Sequence, residues 1–531
     1  MIIRLFWGIS VALIVLDIIL YQTYHHIADT LFWIIFPFIA LGLYDLIQTK
    51  NNVLRNYPVI GHLRYLLLAI RPQIQQYYIE TNIGGRPFSR QERYMVYARA
   101  ESKLDALPFG TQRNVHELGF DSINHSMMPQ KAHASEAKIT VGGPDCKKPY
   151  HAYRLNISAM SYGALSKNAV MALNKGAKIG GFYHNTGEGG LSPYHLKYGG
   201  DIVWQIGTAY FGCRTLEGNF DQDKFKEKAN RDEVKMVEIK LSQGAKPGHG
   251  GLLLKEKITP EIARIRGVPM GEDCVSPPAH TAFNTPKTLL AFIKQLRDLT
   301  DGKPIGFKLC VGSRIEFLSI CKAMLKYKIY PDFITVDGAE GGTGAAPAEF
   351  TDYVGVPLDE GLVFVHNVLV GCGLRSKIRL IASGKIISGF DVICKLALGA
   401  DICNSARGML FSIGCIQSRK CHNNKCPTGV TTVDPNRFRA LNVNAKAPRV
   451  ASFHKNTIES FLEILGAAGL SRVSDLSPGH IYRRTGTTSV SHYDEIYDFL
   501  KPKALLGKKL PDSYKEYWDK ASADYFCHFA Q

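Results

Sequence analysis

Residues 333–347 read FITVDGAEGGTGAAP. The apolar, β-branched run FITV leads through Asp337 directly into a loop with four glycines. A short run of this kind is typical of a buried strand in a parallel sheet. The glycines allow backbone N–H groups to approach a ligand closely and to form a concavity that binds anions. The stretch therefore predicts a parallel strand that ends in a ligand-binding loop.

Seven further runs of the same kind lie along the chain: LNISAM (155–160), GGFYHN (180–185), DIVWQIG (201–207), KMVEIKL (235–241), IGFKLC (305–310), IRLIASG (378–384) and DICNSA (401–406). Helical patterns lie between several of them, at Ser166–Ala177, Thr285–Leu299, Ile315–Tyr327, Gly361–Cys372 and Ser388–Leu398. Alternating strands and helices favour a parallel sheet. Eight such units over roughly 250 residues predict an α/β fold, a (β/α)8 TIM barrel, with an insertion between the fourth and fifth strands. A doubly wound open sheet is the alternative.

Six of the runs pass into loops of small or polar residues: AMSYGALS (159–166), NTGEGG (185–190), QGAKPGHGG (243–251), DGAEGGTGAAP (337–347), ASGK (382–385) and NSARG (404–408). In a barrel these loops gather at the carboxyl ends of the strands, where active sites form. The loops after the last strands are those that usually hold a phosphate. The sequence therefore predicts a phosphate-bearing cofactor at this end.

Three of the 12 cysteines are grouped in CIQSRKCHNNKC, residues 415–426, and the others are scattered along the chain. The group could form a disulfide, a zinc site or an iron–sulfur cluster, or hold no metal. Thiolates are the natural ligands of iron–sulfur clusters. Zinc usually takes four ligands, and His422 is poorly placed beside Cys421 to be the fourth. No paired cysteine framework is visible, which favours a reducing compartment.

Two apolar stretches open the chain, Leu5–Tyr24 and Leu31–Ile47. Each is close to the length of about 20 residues that a helix needs to cross a bilayer. A cleaved signal peptide and an amphipathic surface hairpin are the alternatives. Basic residues precede the first stretch and follow the second, namely Arg4, Lys50, Arg55, Arg64 and Arg71. The positive-inside rule therefore predicts a two-pass hairpin in the inner (cytoplasmic) membrane, with an outer turn at His25–Thr30 and the catalytic domain in the cytoplasm.

The formal net charge is +17, which suits anionic lipid or an acidic protein partner. No nucleic-acid-binding motif accompanies the charge, so we expect no nucleic-acid partner. A helical pattern at Phe453–Ala468 follows the barrel. The predicted domains are a transmembrane hairpin at 1–50, a connecting juxtamembrane region at 51–150, the barrel at 151–470 and a C-terminal extension at 471–531.

Five of the quoted motifs occur together in one order: AMSYGALS, NTGEGG, QGAKPG, GGTGAAP and the C-x5-C-x4-CP segment at 415–427. This ordered set resembles the synthase domain of the glutamate synthase family, the part that carries FMN and an iron–sulfur cluster. The resemblance covers about residues 150–470. It implies an FMN-binding barrel with a 3Fe-4S cluster bound by Cys415, Cys421 and Cys426.

The resemblance also implies roles for single residues. On the flavin side it implies Ala159, Met160, Ser161 and Gly163 against the ring, Gln205 at its polar edge, Lys240 as a nearby cation, and Gly341, Gly342, Thr343, Gly344, Ser383, Gly384 and Lys385 at the phosphate. On the substrate side it implies Glu188 and Lys246. Lys308 is added because a lysine at a buried strand end needs an anionic partner, which predicts a flavin or substrate contact.

Three features depart from the family. The family's enzymes usually begin with a glutamine amidotransferase domain, whereas this sequence begins with the apolar hairpin, so we expect ammonia from solution or a partner. The family's KPGEGG is KPGHGG here, with His249 in place of the acid, and SPPAHTA (276–282) keeps only His280 of a histidine pair. No G-x-G-x-x-G follows a strand and opens a helix, so we expect electrons from an external donor protein or a membrane carrier.

The resemblance therefore implies an oxidoreductase that makes L-glutamate from 2-oxoglutarate and ammonia with hydride from FMN and electrons relayed by the cluster. The altered segments favour a competing function, that of a membrane flavin oxidoreductase acting on a different substrate or on quinone. Two further candidate functions are an electron-transfer subunit without catalysis and a sugar-phosphate enzyme without redox chemistry. The cysteine group argues against the sugar-phosphate enzyme.

Overall fold

The computed structural model describes residues 2–526 of the 531-residue chain. The chain divides into two compact units, Met1–Arg90 and Gln91–Gln531. The second unit contains all eight strands that the sequence predicts, and the first contains both apolar stretches.

Eight parallel strands form a closed barrel in the second unit. In chain order they are β1 (Leu155–Ile157), β2 (His184–Asn185), β3 (Ile202–Ile206), β4 (Val234–Lys240), β5 (Ile305–Leu309), β6 (Phe333–Asp337), β7 (Arg379–Ser383) and β8 (Ile402–Ser405). Each strand pairs with the next, and β8 closes the ring by pairing with β1. The (β/α)8 prediction is confirmed, and the open-sheet alternative is wrong.

Helices connect the strands on the outside of the barrel. Their bounds are Lys167–Gly180, Pro193–Leu196, Gln222–Ala229, Pro260–Arg266, Pro286–Leu299, Arg314–Tyr327, Ala348–Tyr353, Leu358–Gly371, Gly389–Ala397 and Arg407–Ser412. Side-chain caps start several of them, because Ser166, Thr285 and Ser388 each accept a hydrogen bond from the backbone three residues later. All five predicted helices are present, with ends shifted by a few residues.

The helix predicted at Phe453–Ala468 begins earlier, at Val443, and ends at Ala467. Its start is set by Asn442, whose side chain accepts from the backbone N–H of Ala445. Pro448 lies within the first turns of the helix. Proline is disfavoured inside a helix, so Pro448 suggests a break in the sequence pattern. The predicted start therefore falls too late. The helix packs against the helices Lys167–Gly180 and Gly389–Ala397.

Short strands and helices lie outside the barrel. The predicted insertion between β4 and β5 carries a small antiparallel pair, Leu252–Leu253 with Cys274–Val275. A three-stranded antiparallel sheet joins Asp121–Ile123, Ile481–Arg484 and Val490–His492. The remaining helices of this unit are Pro435–Phe438, Tyr493–Ile496 and Asp512–Lys520, and Arg90–Ala100 lies at the boundary of the units.

A hairpin closes the amino-terminal end of the barrel. Its strands, Lys138–Val141 and Tyr150–Tyr153, are antiparallel. Val141 and Ala152 pack into a fully buried apolar cluster with Tyr183, which precedes β2, and with side chains from five barrel strands, namely Val203, Met236, Phe333, Ile381 and Ile402. The interior is therefore filled at this end, as is usual in TIM barrels, whereas a cavity opens at the end that carries the loops.

The first unit begins with two long apolar helices, Ile2–Thr23 and His25–Ile47. Their best windows have mean hydropathies of 2.3 and 1.9, so both are candidate membrane spans by length and composition. The predicted outer turn at His25–Thr30 is wrong, because these residues belong to the second helix and only Tyr24 separates the two. Residues 25–30 contain neither glycine nor proline, so nothing in them ends a helix. Two further helices follow, Asn52–Asn56 and Gly61–Ile74.

Candidate active site

Two residues predicted for different roles form an ion pair at the open end of the barrel. Lys240 ends β4 and Glu188 lies in the loop after β2, and Lys240 Nζ is 2.7 Å from Glu188 Oε1. Burial alone would raise the pKa of Glu188, but the Lys240 ammonium, with Arg266 and Lys246 nearby, lowers it below its usual value. Glu188 is therefore an ionised carboxylate among three cations.

Two of these cations belong to the insertion between β4 and β5. Lys246 is 2% exposed, and its burial lowers the pKa of its ammonium, an effect that Glu188 partly offsets. Arg266 is 5% exposed and donates to the carbonyl oxygen of Tyr162, and its guanidinium lies 5.1 Å from the ring centre of Phe211. Sequence reasoning missed Arg266, since no motif surrounds it.

A small cavity opens beside the ion pair. Its walls include Glu188, Lys240, Gln243 and His249. Gln243 accepts from Lys240 through Oε1, at 2.9 Å, whereas its buried Nε2 has no hydrogen-bond partner within residues 2–526. A buried amide donor without a partner is costly, which suits a site that a ligand acceptor completes.

A polar network fills the barrel interior below the cavity. The buried carboxylate of Glu238 accepts hydrogen bonds from Asn185 (2.8 Å), Gln205 (2.6 Å) and Thr335 (2.6 Å). Gln205, predicted to contact the flavin edge, therefore already donates through its side-chain nitrogen to Glu238. This hydrogen bond fixes the orientation of the amide.

Lys308 has the anionic partner that its burial requires, and that partner is Asp337 at the end of β6. Lys308 Nζ lies 3.1 Å from Asp337 Oδ2, which also accepts from the backbone N–H of Gly244 at 2.9 Å. Burial opposes the charge on Lys308, but Asp337 and then Glu238 hold the pKa of its ammonium above the usual value. Lys308 thus stays cationic below the cavity.

The glycine-rich loops crowd together at the same end. A Cβ at Gly187, which has a φ of +65°, would lie 2.7 Å from the backbone nitrogen of Ser161. A Cβ at Gly342 would lie 2.0 Å from the guanidinium of Arg407, which follows β8. Ser383 is within 3.3 Å of Ser158, oxygen to oxygen. The loops after β1, β2, β6, β7 and β8 therefore meet, as predicted from the ends of the runs.

The residues predicted for the flavin differ in exposure. Ala159, Met160 and Ser161 are half-buried, whereas Gly342, Thr343, Gly344 and Lys385 are exposed. Lys385 has a φ of +50°, a left-handed conformation that is uncommon for lysine. Arg407 adds a cation to this group that the sequence reasoning missed, although it lies within the quoted NSARG loop. A cationic, glycine-lined rim of this kind fits a phosphate group.

The three grouped cysteines lie next to these loops. A Cβ at Gly344 would be 3.8 Å from the Cβ of Cys421. Burial, with smaller contributions from the neighbouring Cys421 and Cys426, raises the pKa of the Cys415 thiol to about 11. For Cys426, burial acts in the same direction, but hydrogen bonds from Thr431 and Thr428 outweigh it and lower the pKa of the thiol. No disulfide joins the cysteines of the described chain, so the disulfide alternative finds no support.

Lys257 holds the cysteine segment against the first barrel loop. Its Nζ donates to the carbonyl oxygens of Cys421 (2.8 Å), Thr431 (2.9 Å) and Ala164 (3.3 Å). Burial lowers the pKa of Lys257 to about 8, an effect that Cys421 and Cys426 partly offset. Three soft thiol donors in one loop fit the ligand chemistry of an iron–sulfur cluster. Within residues 2–526, however, no three His, Cys, Asp or Glu side chains are gathered closely enough to hold a metal ion.

A family model described as the conserved region in glutamate synthase matches residues 113–471. The glutamate synthase large subunit-like protein YerD of Bacillus subtilis is 38% identical over 85% of this chain and 93% of its own length. The archaeal glutamate synthase [NADPH] of Methanocaldococcus jannaschii is 34% identical over 60% of each chain, and the archaeal-type glutamate synthase [NADPH] of Thermotoga maritima is 33% identical over 60% of each.

Among solved structures, a mutant flavocytochrome b2 with pyruvate bound has a TM-score of 0.43 and 14% identity, covering 88% of this chain and 96% of that chain. A similarity at this level adds nothing to the interpretation of the site. The family match covers the whole barrel and the cysteine segment. The chain belongs to the glutamate synthase family.

Proposed function

We propose that this chain is an oxidoreductase of the glutamate synthase type, which forms L-glutamate from 2-oxoglutarate and ammonia with FMN and a 3Fe-4S cluster as cofactors. The family match supports the reaction class, and the names of the archaeal relatives agree with it. The observation that carries the proposal is the cluster of Lys240, Lys246 and Arg266 around Glu188. Of these residues, Glu188 and Lys240 line the cavity. An excess of buried positive charge suits a substrate with two carboxylates.

The substrate carboxylates would be bound by Lys246 and Arg266. Arg266 presents a planar fork that matches a carboxylate, and Lys246 acts as a compact charge. Condensation of ammonia with the oxo group releases water and gives an imine, which two electrons and two protons convert to the amine. Glu188 would move a proton at the nitrogen; this role is supported by its carboxylate, which lies at the cavity wall and is held ionised by Lys240.

The flavin would lie across the loops at the open end of the barrel. Ala159, Met160, Ser161 and Gly163 would support its ring, Gln205 its polar edge, and Lys240 would place a positive charge beside it. The phosphate would be held by backbone N–H groups of Gly341, Gly342, Thr343 and Gly344, with Ser383, Gly384, Lys385 and Arg407. When bound, FMN supplies the hydride. Lys308 would act through Asp337 and the network below the ring.

The cysteine segment would hold the cluster through Cys415, Cys421 and Cys426. When bound, the cluster supplies one-electron transfer to the flavin site. Lys257 would fix that segment on the loop 159–166, so that the two redox sites keep a constant separation. An external donor protein or membrane carrier would deliver the electrons. The two apolar helices would anchor the enzyme in the inner membrane, with the barrel in the cytoplasm.

Reductive turnover tests the proposal directly. The protein is purified in detergent, its flavin is reduced chemically without oxygen, and the flavin absorbance is followed after 2-oxoglutarate and ammonium are added. Reoxidation with formation of L-glutamate is the expected result. A flavin-replete, reducible protein that is not reoxidised would contradict the assignment of 2-oxoglutarate as substrate.

His249 favours a second candidate function, that of a membrane flavin oxidoreductase that acts on a different substrate or on quinone. Its side chain lines the cavity where the family's motif has a carboxylate, and its Nδ1 lies 2.9 Å from the carbonyl oxygen of Gly250. Replacing an acid by an imidazole makes this wall less negative, which suits an electrophile with a different or larger anionic group. The same anaerobic assay with other oxo acids, and with a soluble quinone, distinguishes this oxidoreductase from a glutamate synthase.

A further inference from the structure

A helix whose apolar side chains are exposed follows the second candidate span. It consists of the α-helix Gly61–Ile74 and a π-helical turn, Gln75–Ile79, that continues it without a break. Its large apolar side chains are between 37% and 86% exposed. They are Leu63, Tyr65, Leu66, Leu67, Leu68, Ile70, Ile74, Tyr77, Tyr78 and Ile79.

Six of these side chains recur at the spacing of one helix face. They are Leu63, Leu66, Leu67, Ile70, Ile74 and Tyr77, which we call the apolar face. Intervals of three and four residues place side chains above one another along a helix. A helix that buries such a face in a protein core would show low exposure, whereas Leu66 is 58% and Tyr77 is 59% exposed. The described residues of the first unit, 2–90, therefore do not cover the face.

Polar and charged side chains flank the apolar face. Arg64 and Arg71 lie along one of its edges, and Gln73 borders the opposite edge. Lys50 and Arg55 precede the helix in sequence. A helix with an apolar face, basic residues at the edge of that face and no acidic residue over its length is typical of a segment that lies in the interface of an anionic bilayer.

Side-chain contacts fix the beginning of this helix to the end of the second candidate span. Asp45, in the last turn of the helix His25–Ile47, is fully buried. Its carboxylate accepts from the backbone N–H of Val59 at 2.9 Å and lies 3.0 Å from Nε2 of His62. Asn51 and Tyr65 share a further hydrogen bond of 2.8 Å. The apolar face therefore starts at the level where the span ends, which for a spanning helix is the bilayer surface.

We propose that residues 61–79 form an interfacial membrane helix, whose apolar face inserts into the cytoplasmic leaflet and whose arginines contact anionic phospholipid headgroups. This inference rests on membrane insertion of the two apolar helices and is independent of the reaction that the barrel catalyses. A protein partner is the less favoured occupant, because Asp45 and Asn51 place the face beside a candidate span.

The test uses the full-length protein in nanodiscs of mixed phosphatidylcholine and phosphatidylglycerol that contain a diazirine-labelled phospholipid. After illumination, lipid adducts are mapped by mass spectrometry. We expect adducts on the apolar face as well as on the helices 2–23 and 25–47. Leu67→Glu and Ile70→Glu should each reduce the adducts within 61–79 several-fold. Leu68→Glu is the matched control, since Leu68 is 49% and Leu67 51% exposed but Leu68 lies off the apolar face.

The outcomes separate the ways in which the proposal can fail. Adducts on the two long helices but none within 61–79 would overturn the interfacial helix and leave the membrane hairpin standing. Absence of adducts from all three segments would overturn both. Equal loss in the Leu67 and Leu68 variants would also overturn the proposal. Glutamate synthase turnover of the solubilised variants should equal that of the parent protein.

Discussion

The Lys240 ammonium and the Glu188 carboxylate lie 2.7 Å apart at the open end of the barrel, so one contact joins a residue predicted for the flavin to one predicted for the substrate. Both side chains are largely buried, with exposed fractions of 9% and 16%. In such surroundings each charge depends on the other, because neither is well solvated. Removing one of the two charges should therefore lower the stability of the folded protein and alter the site.

Glu188→Gln should lower the free energy of unfolding by about 3 kcal/mol, because the Lys240 ammonium is left buried without its partner. Denaturant titration of the detergent-solubilised protein measures this change. The double variant Glu188→Gln/Lys240→Met should recover much of the loss, since both charges are then removed. If the two single changes simply add in the double variant, the two residues do not stabilise each other.

Lys246→Ala should abolish turnover with 2-oxoglutarate and leave the flavin content unchanged. In the proposed site Lys246 faces the substrate, and its removal takes away a buried charge that opposes a carboxylate. Flavin absorbance per chain and glutamate formation measure the two effects separately. Lys255→Ala, an exposed lysine in the same insertion, is the control. Loss of flavin from Lys246→Ala would show that Lys246 supports the cofactor instead.

Lys257→Met should loosen the cysteine segment, because three carbonyl oxygens lose their shared donor. The bond to Thr431 is buried, and leaving its carbonyl oxygen unsatisfied costs about 1–3 kcal/mol. We expect less iron per chain and faster reaction of Cys421 and Cys426 with thiol reagents in the metal-free protein. Lys255→Met is the matched surface control. Unchanged iron content and thiol reactivity would show that the segment is held by other contacts.

Cys421→Ser should remove the broad visible absorbance of an iron–sulfur cluster and retain the flavin bands. Serine keeps the size of the side chain but not the soft donor atom. Cys146→Ser is the control, because Cys146 lies outside the group and its thiol contacts the carbonyl oxygen of Gly302. A spectrum that is the same for both variants and the parent protein would exclude Cys421 as a ligand.

Acidification should destabilise the barrel through buried neutral histidines. Burial lowers the pKa of His454 from 6.5 to about 3, and Phe182 stacks on its ring. The imidazole of His454 binds a proton near pH 6.5 in the unfolded chain but stays neutral down to about pH 3 in the folded chain. Its contribution to stability is therefore fully present above pH 6.5 and is lost as the pH falls toward 3. For His454 alone the loss is about 2 kcal/mol by about pH 5.

The slope of unfolding free energy against pH measures this effect. His454→Gln should make the slope shallower by up to one proton between about pH 6.5 and pH 4, whatever its effect on stability at neutral pH. His116→Gln, at an exposed position, should leave the slope as it is. An unchanged slope in the His454 variant would mean that this histidine is protonated in the folded protein.

The barrel was predictable because each strand carries its own signal. Runs such as FITV and IRLIAS are apolar, short and followed by glycine, so their type and order follow from local composition. The end of the barrel at which the loops gather then follows from the parallel arrangement alone. The outer turn at His25–Thr30 was misplaced for the opposite reason, since its polar residues suggested a loop although nothing in them breaks a helix.

The partners of buried charges were not predictable in the same way. Lys308 could be recognised as needing an anion, but Asp337 lies on another strand and is brought to it only by the register of β5 and β6. Arg266 and Lys257 lie in the insertion, where the chain has no periodic pattern. Their roles depend on distant contacts with Tyr162, Cys421 and Thr431, which the sequence around them does not encode.

The hairpin 138–141 and 150–153 plugs one mouth of the barrel with Val141 and Ala152. The cavity lies at the opposite end, among the loops. In the proposed function, an electron donor that approaches over the cysteine segment and an oxo acid that enters the cavity would use neighbouring parts of that end. Such an arrangement favours alternating binding of the donor and the substrate. The donor would first reduce the enzyme and dissociate, and the substrate would then bind and react.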